Sequence, residues 1–244
     1  MDLHHCVERL PVSHLRPYVE CIWYSDPTDD TGIEIVPDGC VDACFVLSKR
    51  RPRVSLFGTT TRTSAYDLEA GAPYFGVRFR PGMASLFVQE KISDLTNSEL
   101  QVVGFLGVGA DEVLDLRSFG ERRMRLESAL MVALARNTDR LNGAVKHAVA
   151  EINHRYGDVR VRELAASCNL SERQLERLFL ERVGITPKLY ARIRRFRSVL
   201  DHLQDSENFE RPNLADVAAS YGYTDQSHLA RDFRNFSYSV SIPN

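Results

Sequence analysis

Two stretches of this chain carry side chains suited to recognising nucleic acid, and the two are copies of one pattern. Leu164-Ala165-Ala166-Ser167, followed by Leu175, Arg177 and Phe179, is echoed by Val217-Ala218-Ala219-Ser220, followed by Leu229, Arg231 and Phe233. Ala-Ala-Ser recurs at an offset of 53, and the Leu, Arg and Phe at an offset of 54. An arginine on a helix matches the paired acceptors of a guanine edge, and an amide such as that of Gln226 matches adenine. Between the copies, Lys188, Arg192, Arg194, Arg195 and Arg197 put five basic residues in ten, with no acid among them. Such a cluster suits phosphate oxygens, which position a protein on a duplex without reading its sequence.

A second group lies near the front of the chain. Asp38 and Asp42 accompany Arg78 and Arg80, and the arginines alternate with Val77 and Phe79. One reading is a turn cap with a rim salt bridge. The other directs both arginines into a β-barrel, where they hold an anionic effector against an apolar wall of Trp23 and Tyr24. Cys40 and Cys44 fall on one face of a strand, in a core or as a redox pair. His4, His5 and Cys6 crowd one terminus, which favours no metal site. No Gly-rich phosphate loop and no nucleophile–base constellation with supporting context is visible, so neither a cofactor nor an enzyme is expected.

These residues need elements to hold them. Each copy reads as two short helices at a steep angle, with the Ala-Ala pair allowing close approach. Gly222 suits a turn with positive φ, and Asn169 stands at the matching point of the first copy. Ser171 and Gln174 form a capping-box pattern that starts a helix. Leu175, Leu178 and Phe179 then face a core, while Arg173, Gln174, Glu176 and Arg177 face away. Thr186-Pro187 is a helix start, and Leu189, Ile193, Phe196, Leu200 and Leu203 continue it to about Gln204. A helix pair of this kind places its second helix in the major groove.

Ahead of the repeat, Tyr18–Tyr24, Ile33–Val36, Val41–Leu47, Val54–Phe57 and Phe75–Arg80 read as short strands punctuated by Pro37-Asp38-Gly39 and Pro81-Gly82. From Met83 to Arg136 the pattern reads helical, best at 121–136, where Leu126, Ala129, Leu130, Ala133 and Leu134 share a face. That face packs inward or forms a dimer seam. The expected fold is a two-domain α+β chain. An N-terminal sandwich or barrel-like domain (1–138, β-rich about 11–82, helical about 83–136) precedes an all-α domain (139–244). The latter divides into a first unit at about 141–184, a linker helix at 187–204 and a second unit at about 213–236.

Of the 244 residues, 43% are apolar, enough for a packed core. Residues 1–142 hold 16 basic and 20 acidic side chains, and residues 143–244 hold 15 and 13. A mildly acidic front and a mildly basic back fit a sensor joined to a DNA reader. The start lacks a signal-peptide pattern and no apolar run reaches membrane-spanning length, so a cytoplasmic protein with reduced thiols is expected.

Residues 141–236 resemble the DNA-binding domain of the AraC/XylS regulators. The resemblance rests on the first unit, on Gly184-Ile185-Thr186-Pro187 with Tyr190 and Arg192, on Leu214-Ala215-Asp216-Val217-Ala218, and above all on Gly222 through Phe233. It implies seven helices in two subdomains and two recognition helices meeting successive major grooves. Carried over by position, Arg173, Glu176, Arg177, Gln226, Ser227 and Arg231 would read bases. Lys188, Arg192, Arg194, Arg195 and Arg234 would meet phosphate. Glu176 would accept from cytosine or pair with Arg173 or Arg177. After Phe233 the chain departs from the family's pattern, since Tyr238 and Ser241 stand where the first copy has Gly184 and Pro187. Arg16-Pro17-Tyr18-Val19, Trp23, Pro37-Asp38-Gly39, Asp42 and Gly76–Gly82 are similar to the β domain of a subgroup of these regulators. The resemblance therefore implies an effector-responsive transcription regulator, more often an activator, with double-stranded DNA, RNA polymerase, a small ligand or protein partner and a homodimer as its partners.

Overall fold

The computed structural model describes residues 6–27, 32–205 and 213–236. Its N-terminal part holds eight strands: β1 (Cys6–Arg9), β2 (Val19–Ser25), β3 (Gly32–Ile35), β4 (Val41–Val46), β5 (Arg53–Phe57), β6 (Ser64–Asp67), β7 (Tyr74–Phe79) and β8 (Glu99–Val102). Six form an antiparallel sheet in the order β1-β2-β7-β4-β5-β8, and β3 pairs with β6 in a separate ribbon. Alternation along each strand sorts the side chains to two faces. Ile22, Val41, Ala43, Phe45, Phe75, Val77 and Phe79 enter the main core. Cys21, Trp23, Cys44, Val46 and Tyr74 face the other way and form a smaller cluster with Leu68 and Ile33.

The segment after Pro81 departs from the expected helical run. Two 3-10 turns, at Ala84–Leu86 and Ile92–Leu95, precede β8, and only then come helices α1 (Ala110–Asp115) and α2 (Phe119–Asn137). Strand β8 is short and largely exposed at the sheet edge, so its sequence carries little apolar alternation. Strands β1 and β6, also unexpected from the sequence, are edge or ribbon strands of four residues each. Helix α2 starts at a capping box in which Ser118 and Glu121 satisfy each other's backbone N–H groups. Its Leu126, Leu130, Ala133 and Leu134 join the N-terminal core, so that face packs inward.

The C-terminal part holds α3 (Gly143–His154), α4 (Val161–Ser167), α5 (Glu172–Arg182), α6 (Pro187–Asp205), α7 (Leu214–Ser220) and α8 (Gln226–Phe236). These six helices share one core in which Leu175, Phe179, Tyr190, Ile193, Phe196, Leu229 and Phe233 are buried. Truncating a buried Phe of this kind costs about 3–5 kcal/mol. A seventh helix would fall beyond Phe236; Tyr238 and Ser241, like His4 and His5, lie outside the described residues.

The two parts meet closely. Gly39, at φ +82°, lies where a Cβ would stand 2.5 Å from the Tyr190 ring of α6. Gly184, at φ +89°, would bring a Cβ to 2.8 Å from Thr96 Oγ1. A side chain at either point would be both strained and obstructed.

Candidate nucleic-acid interface

Each repeat folds as two helices joined by a tight turn. Asn169 adopts φ 55° and Gly222 φ 70°, the left-handed conformation the turn requires. Ser171 Oγ accepts the Gln174 N–H while the Gln174 side chain accepts the Ser171 N–H, starting α5 at Glu172. In the second unit Asp225 accepts the His228 N–H, starting α8 at Gln226. Thr186 accepts the Leu189 N–H at the start of α6.

The second helix of each unit is divided into two faces. Leu175 and Phe179 of α5, and Leu229 and Phe233 of α8, are buried. Arg173, Glu176, Arg177, Gln226, Ser227 and Arg231 are all exposed. Arg177 donates to Glu181 at 2.7 Å, one helical turn on, rather than to Glu176. Both are exposed, so the pair is worth little and yields readily to a ligand.

The basic residues expected at phosphate divide in a way the sequence does not disclose. Lys188 and Arg234 are exposed. Arg192 instead binds Asp232 of α8, Nη2 to Oδ1 at 2.6 Å, and lies over the Phe236 ring. The Asp232 side chain is only 2% exposed, so this is an internal ion pair. Arg195 donates to the Gly157 carbonyl at 3.0 Å, pairs with Asp158 at 3.6 Å and covers Tyr223. Arg194 lies half-buried in the cleft described below, its Nε buried with no hydrogen-bond partner among the described residues.

Two cavities adjoin the N-terminal sheet. The first, of about 100 Å³, lies between the sheet and the β3–β6 ribbon and is lined by Trp23, Cys40, Asp42, Cys44, Tyr66 and Arg78 among others. The second, of about 390 Å³, opens between the two parts of the chain, where Arg78, Arg80, Lys146, Arg194 and Arg197 meet Glu20 and Asp38. Asp38, Cys40 and Arg78 line both.

Arg78 is almost wholly buried, and its charge is answered twice, by Asp42 at 3.3 Å and Asp38 at 3.8 Å. Burial opposes that charge, but the two carboxylates more than offset it and hold the guanidinium pKa well above its ordinary value. Burial raises the Asp42 carboxyl above its usual range, although Arg78 and the Trp23 indole N–H both favour the ionised form. Asp38 also accepts the Cys40 N–H, as a turn cap does. Arg80 lies nearer solvent with Glu20 at 3.9 Å. Both front arginines thus have carboxylate partners, Arg78 in a buried setting and Arg80 near the surface.

Tyr24 does not join Trp23 in the apolar wall that one of the two readings expects. It follows Trp23 on β2 and so points to the opposite face, where it meets Phe119 and Arg122 of α2 and lines neither cavity. The thiols of Cys21, Cys40 and Cys44 are buried and free, and burial raises the pKa of all three. Among the described residues no cluster of three or more His, Cys, Asp or Glu is placed to hold a metal ion. No helix of the described chain is long and apolar enough to cross a membrane.

A helix-turn-helix domain model matches residues 164–238, and the model of a domain of unknown function, DUF6597, matches residues 7–101. The regulatory protein HrpB of Ralstonia nicotianae (strain ATCC BAA-1114 / GMI1000) is 31% identical over 115 residues, which cover 45% of this chain and 24% of that protein. The chain therefore matches about a quarter of that relative's length. Among solved structures, an apo ToxT variant from Vibrio cholerae strain SCE256 is 9% identical with a TM-score of 0.43, covering 88% of this chain and 93% of that one. Wild-type ToxT of the same strain, bound to an unsaturated fatty acid, is 12% identical with a TM-score of 0.42, covering 87% and 89%. The paired units at the C-terminal end of this chain match a helix-turn-helix domain model, and they stand behind a β-rich domain that matches a different family model.

Proposed function

We propose that this protein is a sequence-specific DNA-binding transcription regulator whose N-terminal domain receives the controlling signal. One observation carries the reading. Both units bury one face of their second helix and leave the opposite face, with Arg173, Glu176, Arg177, Gln226, Ser227 and Arg231, open to solvent. Arg177 and Arg231 would take guanine in bidentate fashion and Gln226 adenine, each pair discriminating by about 1–3 kcal/mol. Lys188 and Arg234, with free access to solvent, would meet phosphate. Arg192 and Arg195 would act mainly as internal ties that hold α8 and the turn at Gly157 against α6. The domains are proposed to divide near residue 139.

The effector would enter one of the two cavities, with Trp23, Asp38, Arg78 and Arg80 at their walls. It would act by shifting the population of DNA-competent states. RNA polymerase would be the partner through which an activator works. A homodimer is favoured by the outer face of α2, where Met124, Met131 and Val132 stand exposed at helical spacing. Met124→Glu would then lower the sedimenting mass of the free protein.

The experiment that tests the central reading is selection of bound duplexes from a random pool by the full chain at moderate salt. Two short elements about one helical turn apart support it. Equal binding to all sequences, with and without cell extract as a source of effector, would remove sequence specificity from the assignment.

A further inference from the structure

Both proposed reading helices end against the N-terminal domain. A helix leaves its last carbonyls without partners inside the helix, and something else must satisfy them. Thr59 Oγ1 donates to the Val183 carbonyl at 2.7 Å, just past α5. Thr96 Oγ1 donates to the next carbonyl, that of Gly184, at 2.8 Å. Thr63 donates twice to the carbonyl of Phe236, the last residue of α8, from its N–H at 2.8 Å and its hydroxyl at 2.7 Å.

The three threonines belong to one platform. The Asn97 N–H donates to the Thr59 carbonyl at 3.0 Å, and the Asn97 side chain accepts from both the N–H and the hydroxyl of Thr61, at 2.8 and 3.0 Å. The Gly58 N–H donates to the Ser98 carbonyl at 3.2 Å. Gly58 lies so close to Leu95 that an added Cβ would overlap its carbonyl oxygen. Segments 58–63 and 92–98 are therefore fastened together. Gly58 and Thr60 of the same platform also line the smaller cavity.

We infer that Thr59, Thr63 and Thr96 are positioning residues that fix the separation of the two reading helices, and so decide which spacing between the two DNA elements is accepted. The inference rests on the reading that α5 and α8 contact DNA. Caps supplied by each helix's own neighbours would hold each end independently. Donors that stand 124, 173 and 88 residues away in the chain, on one fastened platform, hold both ends to a common reference. Helix α6 sets the coarse arrangement, through Phe196 against Phe233 and Tyr190 against Phe179. The threonine hydroxyls restrict what rotation remains.

The test uses the full chain and a panel of duplexes carrying the two selected elements, with the spacer shortened or lengthened by one and two base pairs. Thr59→Val, Thr63→Val and Thr96→Val remove the hydroxyls at nearly constant volume, and the Thr→Ser variants retain them. The wild type and the Ser variants should prefer one spacer. The Val variants should lose about fivefold in that preference per hydroxyl, the equilibrium worth of one ordinary hydrogen bond, while binding to a single element stays unchanged. If Thr59→Val or Thr63→Val fails to fold, Thr96→Val carries the test, because its side chain is only partly buried. An unchanged spacer preference in folded Val variants overturns the inference. A wild-type chain that binds no two-element site overturns it too, but at the level of the DNA reading and before any substitution is made.

Discussion

Replacing Arg192 by Ala separates two roles that one guanidinium can play. In the structure Arg192 spans from α6 to α8, with Nη2 at 2.6 Å and Nε at 3.3 Å from Asp232 Oδ1. Removing one partner of a fully buried pair costs about 3–5 kcal/mol, because the remaining charge stays buried and unpaired. Exposed pairs are worth about 0–1 kcal/mol. The Asp232 side chain is 2% exposed and the Arg192 side chain 36%, so the carboxylate is stranded while the guanidinium was partly solvated. The loss should therefore be about 2–3 kcal/mol, between the exposed and the fully buried ranges. In a helical domain of about 100 residues that lowers the melting temperature by roughly 10 °C or more. The assay pairs thermal melting with DNA affinity measured across a salt series. The Arg192→Met/Asp232→Leu double variant, which leaves no orphaned charge, should recover most of the lost stability. The salt slope of DNA binding should stay at the wild-type value in both variants. A stable Arg192→Ala protein whose salt slope falls by about one unit would refute this reasoning and place Arg192 at phosphate.

Three further outcomes follow from the same geometry. Arg231→Ala should relax base preference in one element only, whereas Lys188→Ala should weaken all sequences alike and lower the salt slope by about one; competition binding on matched and mismatched duplexes distinguishes them. Burial holds the Cys21, Cys40 and Cys44 thiols neutral and raises Cys6 to about 11, so all four should resist alkylation at pH 8 in the folded protein and react once it is unfolded, as mass spectrometry of modified peptides would show. For these thiols the thiolate is the reactive form, and a raised pKa moves its appearance to higher pH, so native labelling should increase with pH. Ser171→Ala removes the capping side chain of α5 and should cost about 1 kcal/mol, read by denaturant unfolding. No measurable loss there would mean that the start of α5 is held mainly by packing.

The sequence discloses what is decided locally. Ser171 with Gln174, the positive-φ Asn169 and Gly222, and the start at Thr186-Pro187 each depend on neighbours within a few residues, and each occupies the expected conformation. The exposed faces of α5 and α8 follow from helical periodicity in the same way. Arg192 and Arg195 read as a free basic cluster because Asp232 and Asp158 are distant in the chain, and only the packing of α8 and the 157–158 turn on α6 supplies them. Trp23 and Tyr24 read as one aromatic wall until β2 assigns them to opposite faces. Strand β8 was hidden because an exposed edge strand has no apolar period to display. Arg78 reads from the sequence either as a salt-bridge partner or as a holder of an anionic ligand; its two aspartates come from β4 and the turn before it, a convergence that only the folded sheet brings about.

The close seam at Gly39 and Gly184 bears on how such a protein can be taken apart or recombined. With Gly39 pressed on Tyr190 and Gly184 on Thr96, each half presents a surface shaped to the other's backbone, with no room for a side chain between them. Modularity is then limited. A helical half cut free exposes the carbonyls of Val183, Gly184 and Phe236 to water, and a half grafted behind an unrelated front half must find new donors for them. Exchange between relatives should succeed where the crossover carries the 58–63 and 92–98 segments along with the helices, and should give insoluble or promiscuous chimeras where it divides them.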